Sequence, residues 1–297
     1  MATLNKATLF PKKLETEIFN KVKGHSSLAK LSASEALPFT GKDIFAFNFS
    51  SDIGIVAEGG AKPVGDAAIA TVTMQPVKVV YGMRVSDEFM YASEEDRVNI
   101  LAAFAEGFAA RLGAGLDLMA MHGINPADKV ESALIGNNCF DKKVTGNKVS
   151  YTAASADANI DAAIAAVEAA EYTVNGAAIS PTMRGALAAL TANGARKYPE
   201  FGFGGVPATL GAMGLDVNAT VGVKSTVATK TDHAIVGDFR NCFRWGIAKE
   251  LPLTVIQYGD PDNAGRDLAG HNEVYIRSEA YIGWAIMDEN AFARVEA

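Results

Sequence analysis

The longest regular pattern in the chain is an amphipathic helix, which we predict from Ser93 to about residue 122. Ser93 is a favourable N-cap, and three acidic residues follow it in the first turn, where the helix dipole stabilises negative charge. At 1.5 Å per residue the helix would be roughly 40–45 Å long, well beyond the length usual in globular proteins. Its apolar face recurs every three or four residues. That face contains Val98, Leu101, Ala105, Phe108, Leu112, Gly115 and Met119.

A second long element closes the chain. From Glu273 to Met287, apolar and polar residues alternate with the two-residue period of a β-strand. A strand of about 14 residues is far longer than the usual five or six. We expect this strand to cover the apolar face of the long helix. Together the two elements predict an elongated α+β framework.

The N-terminal third contains an arm and a hairpin-like excursion. Residues 1–43 predict an arm with short helical segments at 14–22 and 26–31, and Ile44–Phe49 alternates as a strand. A Gly-rich stretch then precedes two strand-like runs. Residues 52–85 therefore predict a long two-stranded loop with a flexible tip, which needs a partner surface because a lone hairpin is marginal in water. The two runs are Ile69–Met74 and Val77–Val85.

From about residue 150 the pattern changes to short alternating elements. Ser180 and Pro181 are typical of a helix start, and Asn193-Gly194 would close that helix. Residues 198–214 are rich in Gly and Pro and are interpreted as a loop. The other predicted elements are a helix over 157–172 and strands over 177–179, 234–236, 243–247 and 253–258.

Residues that carry chemistry form no recognisable catalytic or metal-binding pattern. The four histidines are scattered, and His122, at the end of the long helix, is interpreted as a C-terminal cap or an interface residue rather than a ligand. The Gly-rich segment 201–207 lacks the spacing of a dinucleotide-binding loop. We therefore predict no catalytic residues, no cofactor and no metal site.

Composition argues against several further classes of protein. A formal net charge of −7 and a pI of about 5.2 argue against sequence-specific nucleic-acid binding. No apolar run is typical of a membrane span or a signal peptide. Cys139 and Cys242 are interpreted as ordinary free thiols in a reducing cytoplasm.

Five short segments stand out when they are taken together and in order along the chain. They are Val56–Pro63 at the loop start, Leu116–Gly123 at the helix end, Gly237–Phe239, Asn272–Glu279 and Ala291–Ala293. In this combination the chain resembles, over nearly its whole length, the major capsid proteins of tailed phages of the Hong Kong 97 type. Each segment alone is weakly specific, so the resemblance depends on their combination.

The resemblance implies the α+β phage capsid fold and a division of the chain. A peripheral lobe would hold the spine helix (about 93–122) and the long sheet, and a compact α/β axial lobe would meet its copies at five- and six-fold axes. The implied parts are an N-terminal arm (1–43), the peripheral lobe (44–51 and 86–150), the extended loop (52–85), the axial lobe (151–255) and a return through the peripheral lobe to the C-terminus (256–297).

By the same resemblance, the chain would self-assemble through pentamers and hexamers into an icosahedral shell around a double-stranded DNA genome. It would be part of the virion capsid, assembled in the host cytoplasm, with no enzymatic activity and no membrane. Its expected partners are a separate scaffolding protein, a portal and, in some relatives, decoration proteins. The enclosed DNA would be bound without sequence specificity.

Six residues match positions that such proteins place at subunit interfaces: Glu58, Lys62, Thr71, Arg84, Asn272 and Glu279. Some relatives form isopeptide bonds between a loop Lys and an Asn on a neighbour, assisted by a Glu. Asn272 and Glu279 resemble that Asn and Glu, but Thr71 stands where the Lys would be. Because Thr supplies no amine, we expect no cross-link.

Two alternatives remain at this point. An encapsulin-like nanocompartment shell shares the fold but encloses cargo enzymes, and its loop is often shorter. An α+β enzyme is disfavoured by the missing catalytic pattern. Negative-stain images of the purified protein would distinguish the three interpretations. A capsid protein would form large shells, an encapsulin small cages, and an enzyme no particles.

Overall fold

The computed structural model describes residues 26–49, 53–62, 64, 65, 67–88, 94–224 and 231–297. Within them the chain forms an elongated three-stranded sheet, a six-stranded sheet, a two-stranded ribbon and a small hairpin, as expected for the α+β class. The helices are α1 (Ser27–Leu31), α2 (Glu94–His122), α3 (Phe140–Lys143), α4 (Ala156–Glu168), α5 (Pro181–Ala189) and α6 (Phe239–Cys242), with 3-10 turns at Ala153–Ser155, Pro199–Gly204 and Ala269–His271. The strands are β1 (Lys42–Phe49), β2 (Ala67–Met74), β3 (Val77–Ser86), β4 (Lys148–Ser150), β5 (Gly176–Ile179), β6 (Thr191–Ala192), β7 (Ala195–Arg196), β8 (Thr209–Leu210), β9 (Met213–Val217), β10 (Asp232–Gly237), β11 (Phe243–Ile256), β12 (Glu273–Ile286) and β13 (Phe292–Glu296).

The long helix is confirmed as α2. It has 29 residues, which corresponds to about 43 Å. The proposed cap, Ser93, lies outside the described residues. The predicted face is buried from Leu101 onward, and Phe104 and Leu116 extend it. This face packs against β12, so the predicted pairing of long helix and long strand is confirmed.

The long closing strand is confirmed as β12, and it is the central strand of its sheet. It pairs antiparallel with β11 on one side and with β3 on the other. We predicted two separate strands where β11 runs unbroken for 14 residues. The register of β11 shifts between Leu251 and Thr254, around Pro252, which cannot donate to the ladder. That irregularity explains why the sequence pattern looked interrupted.

The two-stranded ribbon differs from the predicted loop. We expected the strands near 69–74 and 77–85 to form one excursion, but β2 pairs with β1, and β3 joins β12 instead. The two strands of the ribbon are thus β1 and β2, in register from Lys42 opposite Met74 to Phe49 opposite Ala67. A short turn at Gln75-Pro76 separates β2 from β3, and the chain changes sheets there.

The six-stranded sheet has the order β4-β13-β10-β5-β9-β8 and draws on more of the chain than the predicted axial lobe. Its members β4 and β13 lie outside the predicted 151–255 range. Conversely, β11 lies almost entirely within that range but belongs to the elongated sheet. The chain crosses between the two sheets at α6.

Two local predictions between residues 189 and 214 are corrected. The Ser180 cap is confirmed, since its Oγ accepts a hydrogen bond from Met183 N (3.2 Å). However, α5 ends at Ala189, and Asn193-Gly194 forms the turn of the β6–β7 hairpin. Both residues have positive φ (51° and 81°), as a two-residue hairpin turn of this kind requires. The expected loop also contains a 3-10 turn, β8 and the start of β9.

The first described residues form a strap, which we define as Ser26–Leu37. It confirms the predicted helical segment at 26–31, while the segment at 14–22 lies outside the described residues. Ser26 caps α1 by accepting from Ala29 N (3.1 Å). Leu28 and Leu37 are buried, so this part of the predicted arm is packed against the subunit itself.

A buried carboxylate, Asp117 of α2, fixes the strap to the rest of the protein. It accepts hydrogen bonds from Ser26 Oγ, from the backbone N of Ser27 (3.0 Å) and from that of Leu28 (3.2 Å). Burial raises the pKa of Asp117, and these hydrogen bonds oppose that effect. On the other side it accepts from Asn218 Nδ2 (3.1 Å) and Thr220 Oγ1 (2.8 Å).

The burial of α2 gives a direct test of the core. Ala109→Asp places a charge at a fully buried position and should cost several kcal/mol, enough to remove most soluble subunit. Ala103→Asp introduces the same charge at an exposed position of the same helix and should leave the yield unchanged. The measurement is soluble yield, followed by urea unfolding of whatever remains soluble. Equal yields of the two variants would show that this assignment of the buried face is wrong.

Candidate functional site

One face of the ribbon is exposed and apolar. Side chains on this face come from both strands: Phe47 lies opposite Ile69, and Phe45 lies opposite Thr71. Phe45 is 72% exposed, Phe47 59% and Ile69 65%. The other face is partly buried, because Ile44 and Val72 pack near Leu37 and Met74. A contiguous apolar patch of this kind marks an interaction surface.

The segment that joins the two ribbon strands also exposes apolar side chains. Ile53 and Ile55 are fully exposed, and Val64 nearly so. The predicted interface residues Glu58 and Lys62 lie in this segment and are exposed as well. Together, the ribbon and this joining segment form an exposed apolar surface of the kind that marks an interaction site.

Arg84 lies elsewhere, at the far end of β3, where it holds the loop between β11 and β12. Its guanidinium contacts Asp262 (Nε to Oδ2, 2.9 Å), Glu273 (Nη1 to Oε2, 2.8 Å) and Asp260 (Nη2 to Oδ1, 2.6 Å). The neighbouring guanidinium lowers the pKa of Asp262 to about 2. The planar guanidinium holds five N–H donors in a fixed fork, a geometry that the single ammonium of a lysine does not reproduce.

Glu279 and Asn272 are well separated on β12. Glu279 is buried and pairs with Lys78 Nζ (2.7 Å) and Arg277 Nε (2.9 Å). Asn272 is exposed, has a left-handed backbone (φ 53°), and its carbonyl accepts from Asp87 N. At about 3.3 Å per residue, roughly 20 Å separates Glu279 from the strand start beside Asn272. Within one subunit Glu279 therefore cannot assist chemistry at Asn272.

The six predicted residues thus occupy three places: the ribbon with its joining segment, the Arg84 end of the sheet, and the middle of β12. Four of them are exposed: Glu58, Lys62, Thr71 and Asn272. Arg84 and Glu279 are engaged in ion pairs within the chain. No site in the described residues brings all six together.

A buried ionic cluster escaped the sequence analysis. His122 is 1% exposed, so its interpretation as a helix cap or interface residue is wrong. Its Nδ1 lies 3.1 Å from Asp141 Oδ2, and its Nε2 lies 2.8 Å from the carbonyl O of Thr220. Arg294 of β13 contacts Asp232 (Nη2 to Oδ1, 2.9 Å) and Asp141 (Nη2 to Oδ1, 2.8 Å).

The geometry determines the charge of this cluster. Both ring nitrogens of His122 face acceptors, so both carry protons and the ring is cationic. Burial alone would lower the pKa of His122, but the hydrogen bond and charge of Asp141 outweigh it and raise the pKa. Burial raises the pKa of Asp232 to about 7, with Arg294 opposing. Glu296 adds a third carboxylate, 3.7 Å from Arg294 (Nη2 to Oε2), so the buried cations face at least as many acids.

The atoms of His122, Asp141 and Asp232 lie within 4.8 Å of one another, which is the spacing of a metal site. They do not fit one, because the Arg294 guanidinium already occupies both carboxylates. A metal ion added beside a buried guanidinium would meet strong repulsion. The cluster therefore fits a structural role, which joins α2, α3, β10 and β13.

Comparisons with known proteins establish the family. A sequence model of the phage capsid family matches residues 7–297. The chain belongs to the phage capsid family. A solved structure from Mycobacterium phage Ogopogo shares 31% identity at a TM-score of 0.77, with 92% of each chain covered. No curated protein sequence matches the chain.

More distant structures share the fold of this capsid protein. One from Gordonia phage Cozz has 23% identity and a TM-score of 0.74, covering 91% of this chain and 86% of that one. The capsid of an empty GTA particle has 18% identity and a TM-score of 0.63, covering 92% and 89%. The predicted resemblance and fold are thus confirmed, and the protein is a shell-forming structural protein of the virion. In the part of the chain that the structure describes, no helix is long and apolar enough to cross a membrane.

The cationic His122 predicts a pH dependence of stability. Its pKa is higher in the folded subunit than the unfolded value of about 6.5, so its stabilisation is complete below that pH and is lost as pH rises through the folded value. The raised pKa of Asp232 likewise makes the folded subunit less stable as pH rises. We expect the unfolding free energy of the subunit to fall as pH rises from 6 to 9.

The variant His122→Gln cannot carry the charge and should show a flatter pH profile with lower stability at pH 6. His271→Gln alters an exposed histidine and serves as the control. The measurement is urea unfolding across this pH range. A slope that His122→Gln leaves unchanged would contradict the assignment of charge to His122.

The Arg84 contacts predict that a substitution at this position makes the loop after β11 more mobile. Arg84→Lys should loosen the loop over residues 257–272, because one ammonium cannot replace a fork that contacts three carboxylates. Amide hydrogen exchange in this loop should become faster while exchange in β12 is unchanged. Arg240→Lys, at an exposed position, is the control. Unaltered exchange in the loop would show that Arg84 does not hold it.

Proposed function

We propose that copies of this capsid protein form the pentamers and hexamers of an icosahedral shell around double-stranded DNA, and that each ribbon docks on a neighbouring subunit. The observation that supports the docking is the outward row of Phe45, Phe47 and Ile69. A shell protein meets many copies of itself. A second copy is therefore the partner that this surface fits.

The packing of the ribbon supports a neighbour rather than the chain's own core as its cover. The inner face of the ribbon already contacts Leu37 and Met74, so a fold-back that covered the outer face would have to break this contact. Among the described residues the ribbon is a sheet of two strands, and two strands alone are marginally stable in water. A neighbouring subunit would supply both the missing surface and the missing stability.

The six interface residues divide into two proposed roles. Glu58, Lys62, Thr71 and Asn272 are exposed and would contact a neighbour directly. Arg84 and Glu279 would act indirectly, by fixing the loop after β11 and the centre of β12 that a neighbour meets.

The remaining partners follow from the family resemblance. We propose a separate scaffolding protein, a portal and decoration proteins, with assembly in the host cytoplasm. The net charge of −7 supports enclosure of DNA without sequence-specific binding. Negative-stain images test the shell directly, since genome packaging needs a large closed particle.

The ribbon surface predicts a separation of folding from assembly. Phe45→Ser and, on the other strand, Ile69→Ser remove exposed apolar groups and should leave the melting temperature of the free subunit nearly unchanged. Both should reduce the yield of shells strongly, because the lost contact is between subunits. The measurement is the shell fraction in a sucrose gradient, beside a melting curve of the subunit. Normal shell yields from both variants would show that this face is not an interface.

The Thr71 side chain, which supplies no amine, predicts shells without covalent links. Boiled, purified shells should run as a single band near 31.2 kDa on a denaturing gel. A ladder of dimers, pentamers and hexamers would disprove this.

A further inference from the structure

Two glycine pairs form a groove beneath the strap. Gly246 of β11 lies directly opposite Gly283 of β12 in the elongated sheet. Gly176 of β5 lies directly opposite Gly214 of β9 in the six-stranded sheet. Each sheet therefore lacks side chains at one paired position, and the strap crosses both positions.

The strap fills the space that the four glycines leave. A Cβ on Gly246 would lie 2.2 Å from the carbonyl O of Glu35, and one on Gly283 would lie 2.6 Å from Leu37 Cδ2. A Cβ on Gly176 would lie 2.8 Å from Phe239 Cδ2 and 3.3 Å from Leu31 Cδ2, and one on Gly214 would lie 3.4 Å from Leu31 Cδ2. The strap therefore covers all four glycines and approaches most closely at Gly246 and Gly283.

Polar contacts fix the direction of the strap in the groove. Asp117 accepts hydrogen bonds from the N-terminal end of the strap. Asp216 accepts from Ser27 Oγ (2.5 Å) and from Lys30 Nζ (2.6 Å). Further along, Glu35 N donates to the carbonyl O of Trp245 (2.9 Å), so the strap adds a short parallel bridge to the edge of β11.

The strand ladders that form the walls of the groove do not include the strap. The β11–β12 and β5–β9 ladders continue through the glycine pairs with their own hydrogen bonds. Asp117 keeps Asn218 and Thr220 as donors without the strap. The strap, by contrast, has a helix of only five residues, far too short to persist alone. The groove therefore imposes a conformation on the strap.

From this asymmetry we infer that the groove is a peptide-binding site, with Ser26–Leu37 as its separable ligand. The chemical class of ligand is a short peptide that offers two serine donors, a lysine and three leucines at the spacing of the strap. The linker that follows, Pro38–Thr40, is exposed and leads into β1. A break in this linker should therefore leave a folded subunit with an exchangeable strap.

The test uses the full chain with a site-specific protease sequence inserted after Thr40. After cleavage of the folded subunit, residues 1–40 should remain bound through native gel filtration. A fluorescent peptide of residues 26–37 should then exchange into the groove, with a rise in its anisotropy. The protein contains two tryptophans, Trp245 and Trp284, which pair across β11 and β12 beside the groove, so their emission reports on the occupant.

Two peptide variants carry the same change and give a matched comparison. In the strap, Ala29 is buried and Ala33 is exposed. The Ala29→Asp peptide should compete at least about 100-fold more weakly, because it would bury an unpaired charge. The Ala33→Asp peptide should compete like the natural sequence.

A second measurement keeps the covalent chain intact. In the uncut protein, Gly246→Ala should expose the strap to trypsin at Lys30, since the new Cβ would collide with the Glu35 carbonyl. Three results would overturn the inference. These are loss of fold on cleavage, failure of the peptide to exchange, and equal competition by the Ala29→Asp and Ala33→Asp peptides.

Discussion

The buried carboxylate of Asp117 connects three parts of the chain that are far apart in sequence. It accepts hydrogen bonds from Ser26 Oγ and two backbone N–H groups of the strap, and from Asn218 and Thr220 after β9. A buried carboxylate without hydrogen-bond donors would be costly, and these five donors come from two separate segments that pack against the long helix. One side chain thus holds the strap and the segment after β9 against the long helix.

Local patterns in the sequence identified the elements whose signal is continuous. The helix that ends at His122 and the strand Glu273–Ile286 were predicted nearly to the residue, because each has one uninterrupted period. The Ser180 cap was recognisable for the same reason, since its chemistry lies within three residues. Asn193-Gly194 was misassigned because this dipeptide follows helices and also closes hairpins.

Pairings between distant segments were not predictable in this way. The sequence around β2 is compatible with either neighbour, and β1 was identified as its partner only by the structure. The cluster of His122, Asp141, Asp232 and Arg294 spans 172 positions and has no local spacing to recognise. One signal was present: Arg294 interrupts an apolar run, Ala291–Val295, and an arginine in such a run needs buried partners.

The place of β13 has a consequence for the order in which the subunit folds. β13 lies inside the six-stranded sheet, between β10 and β4. Its Arg294 pairs with Lys148 of β4, which is 146 positions earlier in the sequence. Closing so long a loop costs conformational entropy before the pairing contributes any stability, so this edge of the sheet is expected to form late in folding.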